Sequence, residues 1–273
     1  MGKEVMQDVQ QVKALLARFG LSPNRGLGQN FLVDGDKAAA IAEAACPDGS
    51  PVLEIGPGLG ALTKPLLERA QRVCAVEIDP ALCQALQALF GQDPRFTLLQ
   101  GDFLKADLEA IQTILGSPFS VAANLPYYVT TPICLRLLSW GLPIPRMALM
   151  AQAECADRFF AQPGSRQYGP LAVLAQYYYQ PRALFSLSPA DYYPQPGVDS
   201  LVVVLESRRL PFLPHFAGFL QQAFAMRRKT LRNNLKGYSG LDEALTSLDI
   251  SPGCRAEALS PQKLASLCIA LLP

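Results

Sequence analysis

Apolar positions change period several times along this chain, and each change marks an element. Between residues 5 and 19 they recur at helical spacing (Val5, Val9, Val12, Leu15, Leu16, Phe19), before GLSPNRGLGQN at 20–30 breaks the pattern as a loop. From residue 51 onward, short apolar runs alternate with helical stretches. PVLEIG (51–56), RVCAVEID (72–79), RFTLLQGD (95–102) and FSVAANLPYY (119–128) read as strands, with helices over ALTKPLLERA (61–70) and PALCQALQALF (80–90). RMALMAQA (146–153), ALFSLSPA (183–190) and SLVVVLES (200–207) are further strands. Strands alternating with helices predict an α/β fold on a parallel sheet, whose ligands sit outside the carboxyl ends of the strands. At ESRRLPFLPH (206–215) two prolines and a charge cluster end the alternation, and only helix-like stretches follow. The predicted domains are therefore residues 1–206 and 207–273.

Half of the 273 residues are apolar and 17% are charged, enough to fill a core and too apolar for disorder. No apolar run approaches the roughly 18 residues of a membrane helix, and the N-terminus has no secretory or transit character. Seven scattered cysteines without a CxxC spacing point to reduced thiols in a cytoplasmic protein, with no metal site and no disulfide framework. His215 is the single histidine, which excludes chemistry built on several. Net charge hides a division. Residues 1–206 carry 15 Lys and Arg against 19 Asp and Glu, whereas residues 207–273 carry 9 against 4. The basic end suits a polyanion, or is simply a solvated face.

EIGPGLGA (54–61) joins the first strand to a helix, and Gly56, Gly58 and Ala61 fit G-x-G-x-x-G/A. Glu77 ends the next strand, where an acid can hold ribose hydroxyls. A dinucleotide and S-adenosylmethionine fit this pattern equally. Asp102, ending the third strand, can accept from an adenine amine, with Ile78 and Phe103 sandwiching the ring; it can equally cap the next helix.

NLPYYVTTP, beginning at Asn124, needs a chemical explanation in that place. An exocyclic adenine amine is a poor nucleophile because its lone pair is conjugated with the ring. Two acceptors, the Asn124 side-chain oxygen and a backbone carbonyl near Leu125 or Pro126, would hold its hydrogens so that the lone pair points at a sulfonium methyl. The proline aims the carbonyl and Tyr127 stacks on the base. Orientation and stabilisation of the charge growing on nitrogen supply the catalysis, and no general base is needed. The alternative is a turn closing a strand, with Tyr127 and Tyr128 as core aromatics.

GLGQNFL, EIGPGLGALT, EID, GDF and NLPYYVTTPI, taken in order, resemble the ribosomal RNA adenine dimethyltransferase family, its bacterial small-subunit branch in particular. The likeness continues through ADRFFAQPGSRQYGPLAV, YYPQPGVDS and FAMRRKTLRNNL, and covers about residues 18–270. It implies a class I S-adenosylmethionine-dependent methyltransferase, a Rossmann-like seven-stranded sheet with a small helical C-terminal domain. It implies that Asn30 and Leu32 contact the methionine end of the cofactor, that Gly56 lies in the glycine loop and Glu77 on the ribose, that Asp102 takes the adenine amine, and that Asn124 lies beside the methyl group. Tyr192 stands where the family usually has a phenylalanine stacking on the target base. Asn24, Arg25 and Gly26 replace a more basic run. The implied reaction is dimethylation of two adjacent adenosines near the 3′ end of small-subunit rRNA, during late assembly of the pre-30S subunit, by an enzyme expected to be a monomer.

Residues 216–236 read as one helix with an apolar stripe of Phe216, Leu220, Phe224, Leu231 and Leu235. Arg228, Arg232 and Lys236 run along one edge of it, with Arg227 and Lys229 nearby, and the resemblance favours RNA contact there. Three other readings are a nicotinamide dehydrogenase, a large-subunit rRNA methyltransferase of the macrolide-resistance type, and an RNA-binding assembly factor without catalysis.

Overall fold

The computed structural model describes residues 8–126 and 129–272; Val5, Tyr127 and Tyr128 lie outside the described residues. The chain divides into two compact units. The first comprises Met1–Ile133, Leu142–Ala156 and Arg182–Glu206, the second Cys134–Gly141, Asp157–Pro181 and Ser207–Pro273.

The sheet consists of β1 (Val52–Ile55), β2 (Val73–Glu77), β3 (Phe96–Gln100), β4 (Ser120–Asn124), β5 (Arg146–Gln152), β6 (Tyr179–Leu187) and β7 (Ser200–Ser207), in the order β3-β2-β1-β4-β5-β7-β6. Every residue of β1 and β2 is buried. Unbroken apolar runs are what parallel strands covered on both faces require. β1 pairs in parallel with β2 and with β4, and the registers Ile55↔Val76 and Ile55↔Ala123 bring the ends of all three level. Chain order reverses between β1 and β4, and a crevice opens there.

β7 departs from the expected parallel sheet and runs antiparallel to β5, Arg146 opposite Glu206 and Gln152 opposite Ser200. Its approach explains this. Residues 188–199 contain a single 3₁₀ turn, Pro189–Asp191, and the pair Tyr192–Tyr193, but no α-helix. A parallel return needs a crossover of a dozen or more residues, usually helical.

Four helices of the first unit set the crevice. α1 (Val9–Arg18) is capped by Asp8, whose carboxylate accepts from the Gln11 N–H at 2.9 Å, and buries Val12, Leu15 and Leu16 against Phe31, Leu59 and Leu82. α2 (Gly35–Ala45) and α3 (Thr63–Arg69) pack together in the core, and α4 (Pro80–Phe90) starts at an Asp79 cap.

The second unit is helical, built from Pro170–Tyr178, Phe216–Ala223, Leu231–Asn234, Leu241–Ser247 and Pro261–Leu271. A boundary between the units falls between Glu206 and Ser207, but the helical unit also takes two earlier segments that the division into 1–206 and 207–273 left with the sheet. The helix over 170–178 buries Leu171, Ala172, Val173, Leu174, Ala175 and Tyr178, so it is apolar nearly all round and needs cover from several sides. It finds that cover on the helices over 216–223 and 261–271. This unit carries twelve Lys and Arg against five Asp and Glu, leaving twelve against eighteen on the other, a sharper polarity than the linear division gives.

The single helix expected over 216–236 is two. The first ends at Ala223, and Thr230 caps the second, accepting from the Asn233 N–H at 3.3 Å. Asn234 reaches back to donate to the carbonyls of Ala223 and Met226, at 2.7 and 3.2 Å. Those bonds serve carbonyls near the end of the first helix. All five stripe residues are nevertheless buried.

Candidate active site

A cleft of about 240 Å³ lies at the carboxyl ends of β1, β2 and β4. It is lined by Asn30, Leu32, Gly56, Gly58, Glu77, Ile78, Asp102, Phe103, Asn124, Leu125 and Pro126, which brings together all the sequence-predicted cofactor and catalytic positions except Tyr127, which is not described. The glycines are needed where they stand. Gly56 is required by its φ of +68°, which side chains rarely adopt; Gly58 has φ +61° and a Cβ would also press the Phe31 ring at 3.2 Å.

Glu77 is 4% exposed. Its Oε2 accepts from the Gly58 N–H at 3.1 Å and its Oε1 from the Asp79 N–H at 2.9 Å. Burial raises its pKa, and these backbone bonds oppose the rise. Asp102 does both things the sequence allows: its Oδ1 caps the turn over Phe103–Lys105 through the Leu104 N–H at 2.9 Å, and its side chain borders the cleft. Beside it Ile78 is exposed and Phe103 buried. Asn124 donates from Nδ2 to the Asn30 carbonyl at 3.2 Å, and Asn30 donates from its own Nδ2 to the Gly28 carbonyl at 3.1 Å. The Pro126 carbonyl accepts from the Val129 N–H and the Thr130 hydroxyl, both at 3.1 Å.

Glu54 was missed by sequence reasoning, although a lone acid in the apolar run PVLEIG is a signal. It is 1% exposed and borders the cleft. Thr63 donates its hydroxyl to Oε2 at 2.7 Å, while Oε1 is buried without a partner among the described residues. Burial, with the Glu77 charge adding to it, pushes the carboxyl up to about 8 against the opposing Thr63 bond. Two buried acids beside the glycine loop favour a donor of net positive charge over a dinucleotide, whose pyrophosphate would bring negative charge towards them; a sulfonium also favours the ionised form of Glu54.

Tyr192 does not present its ring to a base. It is 2% exposed, packed in the core under the sheet and paired with Leu32 in a two-residue antiparallel ladder, Phe31–Leu32 with Tyr192–Tyr193. Side chains alternate along a strand, so the inward turn of Tyr192 sends Tyr193 the other way, where Lys13 Nζ sits 5.3 Å from its ring centroid.

The basic residues also divide. Arg227 is held by Glu257 at 2.9 Å and by the Arg166 carbonyl at 2.6 Å, and Arg232 pairs with Asp242 at 2.6 Å. Arg228, Lys229 and Lys236 are exposed, with no ion pair to them among the described residues.

Comparison with known proteins agrees with this chemistry. The family model described as ribosomal RNA adenine dimethylase matches residues 20–271. A ribosomal RNA small subunit methyltransferase A from Moorella thermoacetica is 41% identical over 271 residues, covering 93% of this chain and 94% of its own. One of the same name from Shouchella clausii (strain KSM-K16) is 39% identical over 277 residues, covering 96% and 94%. Among solved structures, a dimethyladenosine transferase from Plasmodium falciparum shares the fold at TM-score 0.71 and 23% identity, covering 88% of this chain and 96% of that one. The 23S rRNA methyltransferase ErmE aligns at TM-score 0.60 and 27% identity, covering 89% and 99%. Matched along nearly its whole length, and with glycine loop, carboxylates and Asn124 gathered in one cleft, the chain belongs to the ribosomal RNA adenine dimethylase family, enzymes that take their methyl group from S-adenosylmethionine.

Proposed function

We propose that this enzyme dimethylates the exocyclic amines of two adjacent adenosines near the 3′ end of 16S rRNA, acting as a cytoplasmic monomer on the pre-30S subunit late in assembly. The observation that carries the reading is Asn124, at the end of β4 and on the wall of the cleft, in a chain about 40% identical to small-subunit enzymes. No helix among the described residues is long and apolar enough to cross a membrane.

When bound, S-adenosylmethionine supplies a methyl group on a sulfonium. Glu77 would hold the ribose and Asp102 the adenine amine, each with lone pairs left beyond its backbone bonds. Asn124 Oδ1 accepts one hydrogen of the target amine. The Pro126 carbonyl is already engaged twice, so the Leu125 carbonyl is the second acceptor. With both hydrogens held, the nitrogen lone pair would be free to take the methyl as its bond to sulfur breaks, and the two acceptors would stabilise the positive charge on nitrogen until one proton passes to water.

The test is incubation with methyl-labelled donor and unmethylated small or large ribosomal subunits, followed by identification of the labelled nucleoside. Dimethyladenosine in small-subunit RNA alone is expected. Label confined to the large subunit would assign the enzyme to the macrolide-resistance type, and RNA binding without label would make it an assembly factor.

RNA contact is assigned to the helical unit, chiefly to Arg228, Lys229 and Lys236. Replacing these three with alanine should weaken binding to small subunits about tenfold at moderate salt and flatten the salt dependence by about 2 in log–log slope. Arg232→Ala alone should change little, because Asp242 already holds that guanidinium. Filter binding across a salt series reads both; an unchanged slope in the triple variant would move the RNA elsewhere.

A further inference from the structure

Residues 24–30 lead into the cleft, and the last four of them, Leu27–Asn30, line it. Gln29, half-buried among them, bonds in two directions. Its Oε1 accepts from the Asn24 N–H at 2.8 Å, and its Nε2 donates to Asp79 Oδ2 at 2.8 Å. Asp79 is tied inward in turn. Its N–H donates to Glu77 Oε1 at 2.9 Å, and its other oxygen caps α4 through the Ala81 N–H at 2.9 Å. One residue after Gln29, the Asn30 carbonyl takes the Asn124 Nδ2 at 3.2 Å. Hydrogen bonds joined by the Gln29–Asn30 backbone thus run from the carboxylate of Glu77 to the amide of Asn124.

We propose that residues 24–30 form a strap, knotted at Gln29, that holds the Asn124 amide in register with Glu77, which makes Gln29 and Asn30 positioning residues for methyl transfer.

The chemistry turns on which end of the amide faces the target. A backbone carbonyl only accepts, so the group that Asn124 offers Asn30 is its NH2, and Oδ1 is turned away from that contact. The proposal rests on the reading in which Oδ1 accepts from the target amine. If the Asn30 carbonyl withdrew, the amide could rotate by half a turn and offer a donor instead. A donor there would bind the very lone pair that must attack the methyl. The Asn30 carbonyl stays in place because the residue before it is anchored to Asp79, and Asp79 is anchored to the end of β2.

The test uses the full chain with Gln29→Leu, Gln29→Glu, and Gln29→Glu combined with Asp79→Asn. Three things are read: the single-turnover methylation rate at saturating donor and small subunits, the donor Kd by calorimetry, and the side-chain amide proton signals of Asn124 in the empty protein, assigned by their loss in Asn124→Ala. Gln29→Leu should lower the rate about tenfold, as a displacement well under 1 Å can, while the donor Kd moves by less than about threefold. The two Asn124 amide signals should draw together as the bond to Asn30 is lost. Gln29→Glu sets two carboxylates against each other and should be at least as slow. Adding Asp79→Asn restores the bond with donor and acceptor exchanged, keeps a good helix cap, and should return the rate to within about threefold of the parent. A parental rate in Gln29→Leu, a loss confined to donor Kd, or a double variant no faster than Gln29→Glu would overturn the strap. If the parent puts no methyl on adenosine, the functional reading fails instead, and the amide signals still decide whether Gln29 holds Asn124.

Discussion

Asn124→Ala should slow methylation at saturating donor and RNA by roughly 10²- to 10³-fold, the loss typical of removing one preorganised polar group from a transition state. The loss falls on the chemical step because the side-chain oxygen is asked for most when the amine becomes cationic. In the ground state the amine is neutral and its hydrogens are weak donors, so RNA affinity should stay within about fivefold of the parent. Asn124→Asp separates two duties of the amide. It keeps an acceptor but loses the NH2 that donates to the Asn30 carbonyl, and it adds a charge to a cleft that already holds Glu54 and Glu77. Its rate should fall between that of the alanine variant and the parent. Single-turnover kinetics with separately measured donor and RNA affinities check both. A rate for Asn124→Ala within tenfold of the parent, or a defect residing wholly in RNA affinity, would remove Asn124 from the chemistry.

The central strands β1, β2 and β4 were legible because they are written as short apolar runs between glycines, prolines and charges, and the cleft followed from where those runs end. Strand direction was not. β7 is buried as thoroughly as β5, so nothing in its residues separates parallel from antiparallel; the connection at 188–199, without an α-helix, was the available cue. The helix expected over 216–236 shows how periodicity misleads. Phe216, Leu220, Phe224, Leu231 and Leu235 are all buried across a break, since a turn capped by Thr230 and tied back by Asn234 returns the same residues to the core. Likewise the all-round apolar helix over 170–178 announces that it must be covered, but not by which later helices. Tyr192 failed for a smaller reason. In a two-residue ladder a single step of alternation decides which of two adjacent tyrosines faces the core, and the sequence offers Tyr192 and Tyr193 alike.

Glu54 should make donor binding and stability respond to pH in opposite directions. Its carboxyl is held up to about 8, against 4.5 in an ordinary setting, because it is wholly buried and lies near the Glu77 charge, which together outweigh the bond from Thr63. The folded empty protein therefore keeps a proton that the unfolded chain gives up above pH 4.5, and stability is lost as pH rises from there towards 8. A cationic donor favours the ionised form, so its binding must expel that proton at any pH below about 8. Wild-type donor Kd should then weaken by up to about tenfold for each pH unit below 8, the limit for one linked proton. Glu54→Gln keeps the bond from Thr63 and cannot ionise. Its melting temperature should exceed the parent's by a margin that widens from pH 5 to pH 8. Its donor affinity should fall roughly 10- to 100-fold below the parent's at pH 8, the scale of one lost charge-assisted hydrogen bond, and converge with it near pH 6. Groups that titrate on the donor itself appear equally in both profiles, so the difference between them belongs to Glu54. Calorimetry in two buffers of unlike ionisation enthalpy gives the proton count directly: close to one released per donor bound at pH 7 by the parent beyond that of the variant. Equal counts would mean that Glu54 keeps the same protonation state with and without donor, which overturns the linkage; a melting-temperature margin that does not widen with pH would identify that state as the ionised one.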